Sequence, residues 1–402
     1  MIAEKVLEPP GMVHAIWKMQ SIASERRFTV DGDEALESEL ARLLAKVLAG
    51  LREIISPSHI EGIMLGGGYG RGEGGVLKTK EGERPYNDIE FYILMRGPAL
   101  VNRRLHGPAL RHFGEEISGE AGIEVEFKIT SRAELRRAPV SMFYYDLIMG
   151  HRWLSGGEHL LAGCEHHAEA ANIGLSEATR LLMNRCTGLL FAKERLHKTE
   201  FTQDDADFVA RNIAKARLAF GDAVLTLFGQ YHWSCIERDE RLRQLKLEGG
   251  CFEQVLRDHA MGVEFKLHPS KSVANRKELE EEHERVGKTA LEVWLWLEST
   301  RLKTGFDSAE NYAFHPDNKC PQTKPWRNVL VNAAVFGPSC GFPMCFKHPR
   351  ERILRALPLL LWDTNCLGDT RKREYLQRLL ETTTDTYAQF VGAYRKLWSK
   401  VS

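Results

Sequence analysis

Along residues 33–55, Leu36, Leu40, Leu43, Leu44, Val47, Leu48 and Leu51 recur at steps of three and four and fall on one face. That spacing predicts an amphipathic helix, which Ser56-Pro57-Ser58-His59 stops. The period then changes. Ile63-Met64-Leu65 is a short apolar run, read as a buried strand. Residues 88–94 alternate, with Asp88, Glu90 and Tyr92 on one face and Ile89, Phe91 and Ile93 on the other, which predicts a second strand. Residues 123–129 alternate too, with Ile123, Val125, Phe127 and Ile129 set against Glu124, Glu126 and Lys128. Between these strands, residues 101–118 read as helix. Residues 78–86, polar with Gly82 and Pro85, read as a loop or hairpin.

Beyond Trp153 strand patterns are scarce. Helices are predicted over 176–196, 205–228, 277–301, 349–361 and 372–396. Residues 249–272 and 311–349, rich in Pro, Gly and Cys, read as connections. The expected fold class is an α/β N-terminal domain over residues 1–160, a small mixed sheet flanked by helices. A mainly α-helical domain follows over 161–402, and any subdomain break in it falls in one of those two connections. A chain of 402 residues suits such a division.

Charge narrows the partners. Lys plus Arg and Asp plus Glu each number 55, so no net charge draws the chain toward nucleic acid or an anionic membrane. The most apolar stretches, 329–336 and 353–362, fall far short of a membrane span. The first residues lack the basic-then-apolar order of a signal segment. Eight cysteines lie scattered without a CxxC pair, which fits reduced thiols and a cytoplasmic location. Cys340, Cys345 and His348 do not have zinc-site spacing, and Cys164-Glu165-His166-His167 reads as a polar loop. Trp294, Trp296 and Trp398 are read as core or interface rather than base-stacking residues, and residues 280–284 as a solvated helix start.

The candidate chemistry begins at residues 65–75, LGGGYGRGEGG, with seven glycines in eleven positions. Gly70-x-Gly72-x-x-Gly75 formally matches a dinucleotide fingerprint, but that loop must open a helix, and Gly74, Gly75, Gly82 and Pro85 make a poor one. No Gly-Lys-Ser/Thr follows for a Walker A loop, and His151-Arg152-Trp153 lacks the Asp of a kinase catalytic loop. More of the sequence is used when the loop is joined to the acids. An apolar strand runs into Gly67-Gly68-Tyr69-Gly70-Arg71-Gly72-Glu73. After it comes Asn87-Asp88-Ile89-Glu90, then a later strand, Ile123-Glu124-Val125-Glu126-Phe127.

This order resembles the polymerase-β-like nucleotidyltransferase superfamily over roughly residues 60–155. The resemblance implies a catalytic and metal-binding trio of Asp88, Glu90 and Glu126, with two Mg²⁺ ions, or Mn²⁺ in their place. It implies a triphosphate cradle at Gly67, Gly68, Tyr69 and Arg71. The implied reaction moves a nucleoside monophosphate from an NTP, ATP first among them, to an acceptor hydroxyl or phosphate. Two departures stand out. Gly68 occupies the position where the family usually has Ser, and Asp88 comes twenty positions after Gly68, a longer interval than usual.

Elementary chemistry runs the same way. Acids at i and i+2 on a strand share a face and repel unless a cation lies between them. Divalent magnesium takes such oxygens together with phosphate oxygens. The plain alternative is that Asp88 and Glu90 face solvent on an edge strand. Glu124 and Glu126 both lie on the polar face; the family pattern selects Glu126. Arg71 either adds charge for the phosphates or braces the loop through Glu73.

In the helical half, Asn212, Lys215, Ala219 and Asp222 step by three, four and three along one stripe. The expectation is that Lys215 contacts the triphosphate while Asp222 and Asn212 position the acceptor. The alternative is a buried Lys–Asp network that locks helices. A small-molecule acceptor fits the neutral charge, and nucleic acid is disfavoured. A protein hydroxyl or a second nucleotide are rivals within the fold. A nucleotide-binding scaffold without turnover is the rival from another class.

Overall fold

The computed structural model describes residues 27–247, 250–337, 344–363 and 365–401. The chain forms two compact units. One takes in the chain up to Asn172 together with His232–Cys235 and Lys266–Ser270; the other comprises Ile173–Tyr231, Ile236–Phe265 and Lys271–Ser402.

In the first unit the leucine stripe makes α1 (Glu34–Ile54), whose N-cap Asp33 accepts the Leu36 N–H at 2.7 Å. The strand β1 (Ile60–Leu65) leads into the glycine segment, where a short helix α2 (Gly67–Arg71) replaces the expected open loop. The hairpin β2 (Val76–Thr79) and β3 (Gly82–Pro85) follows. Then come β4 (Ile89–Met95), α3 (Ala99–Ala121), β5 (Val125–Thr130), α4 (Arg132–Arg137), α5 (Met142–Met149) and β6 (Arg152–Ser155). Four strands form a mixed sheet in the order β5-β4-β1-β6. β4 pairs antiparallel with β1 and parallel with β5, so the α3 crossover supplies the parallel connection.

Alternation along the strands sorts two faces. Ile63, Phe91, Ile93 and Ile129 pack with the α1 leucines and with Leu110 and Ile117 of α3. Met64, Tyr92 and Leu94 pack on the other face with Leu135 of α4 and Leu147 of α5. Asp88, Glu90 and Tyr92 share that second face, as the period of two requires.

The second unit is helical among its described residues: α6 (Leu175–Leu196), α7 (Gln203–Leu227), α8 (Cys235–Gln244, whose first residue belongs to the other unit), α9 (Phe252–Leu267, whose last two residues belong to the other unit), α10 (Arg276–Leu302), α11 (Ala309–Phe314), α12 (Pro325–Phe336), α13 (Arg350–Trp362), α14 (Thr370–Leu380) and α15 (Tyr387–Val401). Leu182, Phe220, Val286 and Leu357 are fully buried there, and Trp294 lies at the core against Tyr312 and Trp362.

Three expectations change. Residues 249–272 are mostly α9 rather than a connection, because Asp258 and His259 occupy core positions and interrupt the apolar stripe. Residues 311–349 contain α12, whose inward positions are Asn328 and Asn332, held by the Phe346, Cys345 and Lys347 carbonyls. The helix expected over 372–396 is two, α14 and α15. Glu381 turns left-handed at φ 51°, and three β-branched threonines follow it. Cys340 and part of each expected connection lie outside the described residues. No disulfide joins the described cysteines, and among the described residues no helix is long and apolar enough to cross a membrane.

Candidate functional site

The glycines first serve close packing. A Cβ on Gly70 would sit 2.2 Å from the Leu65 carbonyl oxygen, so only glycine lets α2 fold back on β1. Gly67 takes φ +61°, and a Cβ there would lie 3.1 Å from Glu90 Oε2. The turn is thereby pressed against Glu90. The N–H of Gly66 donates to the Glu90 carbonyl at 2.8 Å, which fixes the turn to β4. The N–H groups of Gly67, Gly68 and Tyr69 open α2, where the helical pattern offers them no acceptor. The side chain of Tyr69 is a core element. It is 1 % exposed; its hydroxyl donates to the Gly75 carbonyl and accepts the Tyr86 N–H, both at 3.0 Å. Any nucleotide contact there falls to the Tyr69 backbone.

The polar residues of the glycine segment have structural partners. Arg71 pairs with Asp146 of α5 at 2.9 Å, not with Glu73. Glu73 is 4 % exposed and accepts the Ser234 hydroxyl and, at 2.9 Å, the Cys235 N–H. Burial alone would raise its pKa, but the Lys266 ammonium, the Ser234 hydroxyl and the Cys235 N–H outweigh it and hold the carboxyl at about 2.

Asp88, exposed, precedes β4; Glu90 lies on it, half-buried. The parallel register sets Glu90 opposite Glu126 on β5. Each of the three carboxylates offers one oxygen, and these atoms lie within 4.8 Å of one another. Glu124 precedes β5, exposed, and is not part of the trio; its carbonyl accepts the Ile89 N–H at 2.9 Å. Sequence reading gave Lys128 no role, yet its ammonium bonds Glu90 and reaches Glu126 at 2.9 Å, with the Tyr92 ring 5.5 Å away. The i+2 spacing from Glu126 was the available signal, since it puts the ammonium on the acids' own face.

Three hard oxygen donors with one ammonium leave two negative charges, a donor set suited to a magnesium- or manganese-like cation. Compared with protein-family models, with curated proteins and with solved structures, the chain matches none. The site therefore rests on its own residues.

Asn212, Lys215 and Asp222 lie on α7 of the second unit. Lys215 is exposed, and Asn212 donates from its side chain to the Phe208 carbonyl at 2.8 Å. Asp222 is 5 % exposed, 2.9 Å from Arg238 Nε and 3.3 Å from His259 Nε2. His259 also reaches Asp239 at 3.2 Å. Burial alone would depress His259; its two carboxylate partners raise it above the ordinary histidine range, with Arg238 opposing them. In the Cys164–His167 segment, read from the sequence as a polar loop rather than a ligand set, His167 is buried and its Nε2 lies 3.0 Å from the Leu135 carbonyl, and His166 Nε2 lies 3.2 Å from the Ala138 carbonyl.

Proposed function

We propose that this protein is a metal-dependent nucleotidyltransferase of the polymerase-β-like type, moving a nucleoside monophosphate from an NTP, ATP first among them, to a small-molecule acceptor. The observation that carries this reading is the trio of Asp88, Glu90 and Glu126, drawn within 4.8 Å across two paired strands, with Gly67 packed against Glu90. A glycine turn beside clustered carboxylates brings phosphate-facing N–H groups next to a cation site.

In this reading Asp88, Glu90 and Glu126 hold two magnesium ions, and the N–H groups of Gly67 and Gly68 meet the β- and γ-phosphates. Bound there, the metal supplies positive charge to the triphosphate and favours the alkoxide of the acceptor. The acceptor oxygen bonds to the α-phosphorus as the α–β phosphoanhydride bond breaks. The electron pair leaves on pyrophosphate, and the acceptor proton passes to Glu126. Arg71 contributes by bracing α2 through Asp146.

The test is transfer of label from each α-labelled NTP in Mg²⁺ or Mn²⁺, with cell extract supplying acceptors. Asp88→Ala and Glu90→Ala should each cut transfer about a thousandfold, the ~4 kcal/mol scale of lost metal stabilisation. A second reading, a nucleotide-binding scaffold, draws on Lys128, whose ion pairs already neutralise part of the trio. ATP binding with no metal-dependent pyrophosphate release in any extract would select it.

A further inference from the structure

Between α3 and α5, at the outer edge of β5, the first unit holds a cavity of about 420 Å³, within the size range of small-ligand sites. We propose that it is the acceptor subsite of the same centre, shaped for a small molecule that carries a planar ring, an anionic group and a hydroxyl. The assignment rests on the nucleotidyl-transfer reading above.

Position is the first argument. Lys128 lines the cavity and also bonds Glu90 and Glu126, so one side chain joins the cavity wall to the carboxylates. Across the sheet the order is cavity, β5, β4, β1, and the glycine turn follows β1 and touches Glu90. In-line transfer needs the leaving pyrophosphate and the attacking hydroxyl on opposite sides of the phosphorus. With the phosphates on the glycine side, the acceptor arrives from the β5 side, where the cavity lies.

Lining is the second. Tyr92, Phe143 and Tyr144 form an aromatic wall, with ring centroids 5.9 Å apart for Tyr92 and Phe143 and 5.0 Å for Phe143 and Tyr144. Phe143 keeps 42 % of its surface exposed, an apolar ring left open at the wall of a cavity. Such rings take a planar group by offset stacking.

Charge is the third. Arg103, on the same wall, is satisfied: its Nε donates to the Ile129 carbonyl at 3.0 Å and its Nη2 to Glu134 at 2.6 Å. Arg111, exposed and one turn along α3 from Gly107, has no carboxylate partner among the described residues. An unpaired guanidinium beside an aromatic wall recognises a carboxylate or phosphate. A ring anchored by its anionic group at Arg111 would direct its hydroxyl toward Lys128 and Glu126.

The probe is 4-hydroxybenzoate, which has the ring, the carboxylate and the hydroxyl, with benzyl alcohol as the uncharged comparison. Binding is read by saturation-transfer NMR on the full chain, with circular dichroism verifying each variant's fold. Arg111→Ala should weaken 4-hydroxybenzoate about tenfold, the scale of one charge-assisted contact, and Phe143→Ala by about as much through the lost ring stacking. Benzyl alcohol should respond to Phe143→Ala and not to Arg111→Ala. Probe binding indifferent to both substitutions, or absent from the wild type, overturns the subsite. ATP binding with Mn²⁺ is measured on the wild type in parallel. A bound probe without bound ATP brings down the nucleotidyl reading and leaves the cavity a ring-and-anion site, whereas bound ATP with an indifferent probe brings down the cavity alone.

Discussion

At the scale of single residues, Lys128 and Glu73 each settle a question of charge. Lys128 stands between Glu90 and Glu126, so it holds the acids together and, under the proposed function, competes with the metal for them. Replacing it by Met removes one positive charge within a few ångströms of the cation site. Mn²⁺ affinity measured by calorimetry should tighten on the order of tenfold, while the fold loses some stability because the three carboxylates then repel. Weaker Mn²⁺ binding in Lys128→Met would mean that the ammonium organises the trio more than it competes. Glu73 works through pH. Its folded pKa of about 2 lies below its ordinary 4.5, so its contribution is present in full above pH 4.5 and is lost as pH falls toward 2. That shift corresponds to about 3 kcal/mol. Urea unfolding should therefore show Glu73→Gln less stable by about that amount at pH 7, and the gap should close toward zero near pH 2.

At the scale of elements, what the sequence disclosed followed from clean periodicity. The leucines of α1 and the alternation of β4 and β5 place both faces of the sheet, and with them Asp88, Glu90 and Glu126, because each position obeys one period. Illegible elements break that rule with polar cores. In α9 Asp258 and His259 interrupt the buried apolar positions between Val255 and Val263, and in α12 the inward residues are Asn328 and Asn332, so neither helix shows a continuous apolar stripe. The glycine segment was legible as a tight approach but not as α2, since glycine's propensity argues against any helix and packing onto β1 overrides it. The i+2 spacing sets Lys128 on the acids' face, but its reach to Glu90 needed the parallel register, which no single strand reveals. The polar core of α9 makes its own prediction. With Asp222 and Asp239 on its two nitrogens, His259 has a raised pKa, so its contribution is complete below its ordinary 6.5 and is lost as pH rises through the folded value. Thermal melts should show stability declining on that alkaline side in the wild type. His259→Gln should flatten the dependence and cost about 3 kcal/mol or more, because two buried carboxylates lose their shared partner.

At the scale of the whole molecule, the chain does not divide at one point. It passes between its two compact units at residues 172–173, 231–232, 235–236, 265–266 and 270–271, and the short segments it returns to the first unit carry the partners of Glu73. Ser234 and Cys235 come from one returned segment and Lys266 from the other. The same Lys266 backbone carbonyl accepts from Asn87, the residue just before Asp88, and lies 3.1 Å from where a Cβ on Gly75 would be. A fragment ending at Asn172 keeps the sheet and the acid trio but lacks Ser234, Cys235 and Lys266, so Glu73 loses the partners that hold its charge and is returned to water. Such a fragment should lack a cooperative urea transition, although its sequence contains every expected catalytic acid. Glu73→Gln then differs between the two contexts. It destabilises the full chain by about 3 kcal/mol, where it removes a well-paired anion, and it leaves the fragment's unfolding unchanged, where no pair remains to lose. A wild-type fragment that unfolds cooperatively would show that the returned segments are incidental to the first unit and that the catalytic candidate folds by itself.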